Sequence, residues 1–220
     1  MKIELKIPDS PSRSRRIISG AFFWLLLAGL LTSCTSERAQ TVSNSRTPEP
    51  SPVADSFAYP VGPDQKLTQA KDTRDEWFNA LDFRKNGHLG EDWNKNSGGN
   101  TDCGEPVYAV ANGKITYAAD AGPGWGNVVI IEHTLKSGER VQTLYAHMQK
   151  ILKTSGEVKR REQIGNIGNA NGRYLCHLHL ELRERSSRDW NKVGGGYSSD
   201  AAGWLDPSDL IDKQWQKHDR

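Results

Sequence analysis

Four of the six histidines of this 220-residue chain fall into three short constellations: His88-Leu89-Gly90-Glu91-Asp92, Tyr145-Ala146-His147 and His177-Leu178-His179. Neutral imidazole and carboxylate together form a ligand set that suits zinc. Three such ligands leave a fourth position for water, which makes a site hydrolytic rather than structural. Residues two apart in a strand share a face, so His177, His179 and Glu181 project together, while Leu178, Leu180 and Leu182 line the opposite, buried face. Two imidazoles on one face cost desolvation unless something binds them. A solvent-facing strand with two ordinary histidines is the alternative that this motif alone leaves open. His88 and Asp92 are four positions apart, about 13 Å in a straight strand, too far to share one ion. The chain must therefore bend between them, and Gly90 is the permissive residue for a bulge or turn, with Gly87 just before the histidine. His133 and His218 stand apart, at an expected strand end and in a polar tail.

The elements that must position these groups read as short strands separated by turn residues. Val107 to Ala111 is an expected strand, Asn112-Gly113 the strongest short hairpin signal, and Lys114 to Ala119 the returning strand. Val128 to Ile131 is an unbroken β-branched run, which predicts a strand covered on both faces. Val141 to Met148 should pair with it across Lys136-Ser137-Gly138-Glu139. Gln163 to Ile167 and Cys176 to Arg183 complete at least six strands, and Asp206-Pro207-Ser208-Asp209-Leu210-Ile211 reads as a capped terminal helix turn. The expected class is all-β, a mainly antiparallel sandwich or open barrel with a groove and minor helical turns.

The ends of the chain are of another kind. There are 29 Lys plus Arg against 27 Asp plus Glu, a formal charge of +2. The first 33 residues hold five basic groups and two acidic ones (Glu4, Asp9), so the remainder is close to neutral. That balance excludes a nucleic-acid binder working by bulk charge. Residues 1–33 read as an export signal: a basic stretch ending in Arg15-Arg16, then the apolar run Ile17 to Leu31, too short for a spanning helix. Leu31-Thr32-Ser33-Cys34 resembles a bacterial lipobox, which would place a lipid on Cys34; a signal anchor with an accidental cysteine is the alternative. Thr35 after the cysteine resembles the sorting pattern for the outer membrane, so the expected location is the cell envelope, lipid-anchored and facing the periplasm. Residues 34–58, rich in Ser, Thr and Pro, read as a disordered tether, leaving 59–220 as the folded domain.

Together, His-x-x-x-Asp, then Tyr-x-His, then His-x-His followed by an apolar residue and Glu, in a β-rich domain of this size, resemble the lysostaphin-type (LytM-type) zinc endopeptidases of bacterial cell walls. The flanking segments GEPVYAVANGKITYA (Gly104 to Ala118), GWGNVVIIEH (Gly124 to His133), TLYAHM and HLHLELR carry the resemblance over a core of residues 86–184. It implies His88, Asp92 and His179 as zinc ligands. It implies His147 and His177 beside the metal as general base and oxyanion stabiliser, without saying which is which. Tyr145 shares a face with His147, which makes it a candidate substrate contact or a structural tyrosine. The segment from Trp93 to Pro106 is longer and more polar than the family's usual connection, which leaves the rim of the cleft open and autoinhibition conceivable. Cys176 stands where the family has a small residue or Pro.

With Cys34 lipidated, Cys103 and Cys176 remain as an even pair in an oxidising compartment, either bonded to each other or two separate buried thiols. The resemblance implies a zinc metalloendopeptidase that hydrolyses peptide cross-links of peptidoglycan, reaching the membrane through Cys34, with room for a regulatory protein partner and no nucleic acid. Two other readings share the fold: a non-catalytic activator of cell-wall amidases, and a zinc peptidase acting on secreted proteins. Trp93, Trp125 and Gly194 to Gly196 could shape either peptidase's cleft.

Overall fold

The computed structural model of the protein describes residues 52–71 and 76–215. The expected export signal, Cys34, the tether as far as residue 51, and His218 lie outside the described residues. In chain order the strands are β1 (Val53–Ala54), β2 (Trp77–Leu81), β3 (Glu91–Lys95), β4 (Pro106–Tyr108), β5 (Gly113–Asp120) and β6 (Asn127–Leu135). They continue as β7 (Arg140–Met148), β8 (Lys150–Ile151), β9 (Gly156–Val158), β10 (Gln163–Asn166), β11 (Leu178–Glu184) and β12 (Trp204–Leu205), and one helix, α1 (Pro207–Gln214), follows. Among the described residues, β2-β3-β11-β7-β6-β5-β9 form the path of one large sheet, joined by β1 beside β6 and β12 beside β11. A small second sheet runs β4-β10-β8. All pairings are antiparallel except that of β1 with β6. Among the described residues the fold is thus mainly antiparallel β with one short α-helix, as the sequence predicts. No helix of the described residues is long and apolar enough to cross a membrane.

The β-branched run on β6 does what its composition demands. Val129 and Ile131 point into the main core, with Tyr145, Leu180 and residues of the small sheet such as Val107 and Ile164. Val128 and Ile130 point to the other face and form a second cluster with Leu144 and Ala146. Helix α1 starts as expected, with Asp206 as its cap accepting from the Asp209 N–H at 3.1 Å and Pro207 in the first turn. Its Ile211 is buried in the main core.

Two expectations need correction. Asn112-Gly113 does not close a hairpin, because β4 pairs with β10 in the small sheet and β5 pairs with β6 and β9 in the large one. The Asn112 side chain instead pins a corner, donating to Val53 O at 3.1 Å and accepting from the Arg160 N–H at 2.9 Å. Glycine is required at 113 by close approach rather than by turn geometry: a Cβ there would lie 2.6 Å from Glu132 O. Residues 54–58, expected to be tether, belong to the folded part. Ala54, Phe57 and Ala58 are buried, and Phe57 bridges to Trp215 beyond α1. One phenylalanine with a matching pocket outweighs the polar composition around it, because burying its side chain is worth about 1.5–3 kcal/mol.

Cys103 and Cys176 are joined as a disulfide with their Cα atoms 5.2 Å apart and 73 positions between them in sequence. It ties the polar insertion after β3 to the start of β11. Asn94 and Asn100 of the same insertion flank the bond: Asn94 Nδ2 donates to Cys176 O at 3.2 Å, and Asn100 Oδ1 accepts from the Cys176 N–H at 2.9 Å.

His133 on β6 is fully buried, its Nδ1 donating to Asn112 O at 2.9 Å and its Nε2 facing Thr143 Oγ1 at 2.8 Å. Burial pushes its pKa down to about 4. The folded value lies below the ordinary value near 6.5, so as pH falls the unfolded chain protonates first. Stability attributable to this group is therefore full above about pH 6.5 and lost towards pH 4, on the order of 3 kcal/mol. In denaturant titrations across that window, His133→Gln should flatten the fall of stability with acid relative to the parent. Equal slopes in both would refute the assignment. Separately, Cys103→Ser with Cys176→Ser should cost about 4 kcal/mol in the chain-entropy picture, read as a lowered unfolding midpoint.

Candidate metal centre

Two of the expected ligand side chains stand on neighbouring strands in register. His179 on β11 is paired with Asp92 on β3 and with Ala146 on β7, so both side chains rise from one face of the large sheet. On the opposite face lie Leu178, Leu180, Leu182 and Trp93, all in the main core. The alternation read from His177 to Leu182 therefore holds. His88 comes from outside the sheet, at the end of a single 3-10 turn, Lys85–Gly87. The bend needed between His88 and Asp92 is present, but its glycines divide the work differently from expectation. Gly87 takes the left-handed conformation, with φ of 79°. Gly90 does not. A Cβ at Gly90 would collide with Leu180 O and crowd the His179 ring, so glycine there lets the turn lie against β11.

The donor atoms converge. His88 Nε2 and His179 Nδ1 are 3.0 Å apart, His179 Nδ1 and Asp92 Oδ1 are 3.0 Å apart, and His88 Nε2 and Asp92 Oδ1 are 3.4 Å apart. His179 Nε2 faces Glu181 Oε1 at 3.1 Å, and a carboxylate can only accept, so that nitrogen carries the proton and Nδ1 is left to the cluster. Glu181 is itself buried and paired with the buried Arg183. Burial alone would raise the Asp92 carboxyl, but hydrogen bonds from His179 and His88 and the charge interaction with His179 and His177 hold it far below the carboxylate range. Burial alone would lower His179, but Asp92 and Glu181 push it up to about 9. Both shifts have one meaning: the cluster is electron-rich and calls for a positive charge at its centre. His88, Asp92 and His179 are also the three described residues whose His and carboxylate ligand atoms could together hold one metal ion. Two imidazole nitrogens and one carboxylate oxygen at these separations fit a tetrahedral zinc ion with its fourth position open.

His147 and His177 flank this cluster, their rings 4.6 Å apart by centroid. His177 Nε2 lies 3.7 Å from Asp92 Oδ1. Each has its Nδ1 against a main-chain carbonyl, His147 on Trp125 O at 3.2 Å and His177 on Leu175 O at 2.9 Å. A carbonyl can only accept, so both rings hold their proton on Nδ1 and present Nε2. Burial, reinforced by the neighbouring imidazoles, pushes the His147 pKa down to about 3, keeping that ring neutral.

His147 reaches the cluster against the alternation of its strand. Its φ is 63°, in the left-handed region rare for residues with a side chain. At this end of β7 the pairing with β6 slips between Asn127 and Val129, and the irregularity turns the imidazole onto the His179 side. Tyr145 keeps the regular alternation and so points the other way. It is buried in the main core, its hydroxyl accepting from the Val110 N–H at 2.9 Å and from Thr143 Oγ1 at 3.0 Å. The expectation that Tyr145 contacts substrate is therefore corrected: it is a structural tyrosine on the far face of the sheet.

The five groups open into a cleft of about 420 Å³, completed by Pro123, Gly124, Trp125, Arg173, Tyr174, Gly195, Gly196 and Tyr197. Trp125 and the glycine loop are where the sequence suggests, whereas Trp93 is core, its Nε1 donating to Glu91 Oε2 at 3.0 Å. Tyr174 and Tyr197, both well exposed, are lining residues that sequence alone did not single out. None of residues 93–106 lines the cleft, so the polar insertion lies behind His177 instead of across its mouth.

The profile of peptidase family M23 matches residues 87–191. Over 81 residues the chain is 35% identical to lipoprotein NlpD of Yersinia enterocolitica, a match covering 36% of this chain and 78% of that one. Over 80 residues it is 40% identical to the DD-carboxypeptidase/endopeptidase Mpg of Neisseria meningitidis serogroup B, covering 36% of this chain but only 17% of that protein. Among solved structures, a zinc-containing peptidase from Vibrio cholerae aligns with 67% of this chain and 41% of its own, at 26% identity and a TM-score of 0.42. With the profile match spanning the strands that carry the cluster and most of the Yersinia relative's length covered, the chain belongs to peptidase family M23.

Proposed function

We propose that the protein is a zinc-dependent endopeptidase that cuts peptide cross-links in bacterial peptidoglycan, exported by residues 1–33 and held at the envelope, on the outer membrane, by a lipid on Cys34. The observation that carries this reading is the convergence of two imidazoles and a carboxylate with two further imidazoles in one open cleft. The name of the Neisseria relative supports the peptidase activity, and that of the Yersinia relative the lipid anchor. A pure activator of amidases would gain nothing from the buried electrostatics that hold these five groups together, so catalysis is preferred to that reading.

His88, Asp92 and His179 would hold the metal, with Glu181 fixing the His179 ring. When bound there, zinc would supply Lewis-acid polarisation of the scissile carbonyl and a lowered pKa for the attacking water. His147, kept neutral by burial, has Nε2 free to accept the proton of the attacking water and to return it to the departing amine. His177, fixed by its Nδ1–H on Leu175 O, turns Nε2 towards the same space, where it would stabilise the oxygen on which negative charge develops. Tyr174, Trp125 and Tyr197 supply flat, largely apolar walls for a peptide beside these groups.

The purified protein should contain about one zinc per chain, and His179→Ala should lose it. Chelation should abolish release of muropeptides from purified cross-linked peptidoglycan, followed by mass spectrometry, and zinc should restore it. His147→Ala should keep the metal while slowing cleavage by about 10²–10⁴-fold. Stoichiometric zinc without any cleavage would favour the activator reading, and no zinc at all would overturn the ligand assignment.

A further inference from the structure

The two imidazole ligands are held by different means, and a buried ion pair links those means. His179 is oriented by a carboxylate, through Nε2–H to Glu181 Oε1 at 3.1 Å. The other oxygen, Glu181 Oε2, accepts from Trp204 Nε1 at 2.8 Å and from Arg183 Nε at 2.7 Å. Arg183 is fully buried and spends its remaining donors on Glu181 and on three main-chain carbonyls of one loop: Asp189 O at 2.9 Å, Lys192 O, and Val193 O at 2.7 Å. His88 has no such carboxylate. Its Nδ1 is buried without a hydrogen-bond partner among the described residues, so the ring depends on the backbone beneath it and on its neighbours. Those are set by the continuation of the loop that Arg183 holds: the Leu89 N–H donates to Gly196 O at 2.9 Å, the Ser198 N–H donates to Gly87 O at 2.7 Å, and the Tyr197 ring lies 5.0 Å from the His88 ring by centroid.

We infer that Glu181 and Arg183 form one positioning pair for both imidazoles, Glu181 acting directly on His179 and Arg183 acting on His88 through the 189–198 loop. The inference rests on the metal site proposed above. It assigns a role in metal affinity to Arg183, which touches none of the three ligating side chains. A buried ion pair by itself is weak evidence for a role in stability, since well-packed apolar groups often replace such a pair at no loss. What sets this one apart is geometry: a planar guanidinium can satisfy a carboxylate and three carbonyls at once, and an ammonium cannot.

The test is zinc affinity, measured by competition with a chromophoric chelator, together with the visible spectrum of the cobalt(II)-loaded protein, which reports ligand geometry without any substrate. Glu181→Gln and Arg183→Lys should each weaken zinc about 10- to 100-fold and change the cobalt spectrum. Glu184→Gln, an exposed neighbour on the same strand, should change neither. Arg183→Lys with parental zinc affinity and cobalt spectrum would overturn the inference. Should Arg183→Lys fail to fold, Tyr197→Ala removes the ring from His88 without touching the buried pair; it should weaken zinc, and unchanged affinity there would overturn the inference equally. A parent protein that binds no zinc would instead bring down the metal-site reading itself.

Discussion

Three electron-rich atoms held 3.0–3.4 Å apart repel one another unless a positive charge sits among them, and the rest of the domain is arranged around that constraint. Without a cation the demand falls on a proton, which is why His179 titrates so far above an ordinary buried imidazole. With a cation the same geometry becomes a ligand set, and proton and metal compete for one place. Holding such a cluster together requires a stiff frame. The in-register pairing of β3, β11 and β7 provides it, because moving Asp92 relative to His179 would mean breaking a ladder of main-chain hydrogen bonds. The large sheet must then be buried on its far side, and the row of Leu178, Leu180, Leu182, Tyr145 and Trp93 there belongs to the main core.

What the sequence makes legible follows from regular alternation. The faces of β11, the double coverage of β6 and the capped start of α1 each depend on local pattern and survive into the structure. His-x-His on a strand followed by Glu places two metal-side groups and a buried carboxylate two residues apart, and it is the strongest single clue in the chain. The features that escaped are those in which a local irregularity or a distant contact overrides the pattern. Regular alternation puts Tyr145 and His147 on one face, but the left-handed backbone at His147 separates them, and nothing in Tyr-x-His announces that φ. Asn112-Gly113 looks like a turn because the residue types are right for one, yet the glycine answers to the carbonyl of Glu132 on a strand 19 positions later. Phe57 is a single apolar residue in a polar stretch, and only its place in the main core with Val110, Leu180, Leu182 and Ile211 makes it part of the fold.

The centre is therefore half strand and half turn. His179 and Asp92 inherit their positions from the sheet. His88, His147 and His177 stand on irregular backbone, where a side chain is held less accurately than on a strand, and each carries its own restraint. His88 has the 196–198 backbone bonded to the residues on either side of it. His147 has the slipped pairing with β6 and Trp125 O. His177 has a bridge to Gly168 and, one residue earlier, the disulfide with Asn94 and Asn100 around it. Gly168 also packs against His147 O and Gln149, so close that a Cβ there would overlap them, which puts the backbones supporting the two flanking imidazoles in contact.

This division gives the polar insertion its place. The polar insertion after Asp92 looks from composition like a flap that could cover the cleft. It lies behind His177, and its Asn94, Asn100 and Cys103 all act on the residue immediately before that histidine. Cys176 and the insertion therefore work as one device: the bond to Cys103 holds the backbone entering the first histidine of His-x-His against the loop that carries Cys103. Loop and bond act together, since the loop without the bond would add a less restrained chain beside the site, and Cys176 without the loop would lack Cys103 as its partner.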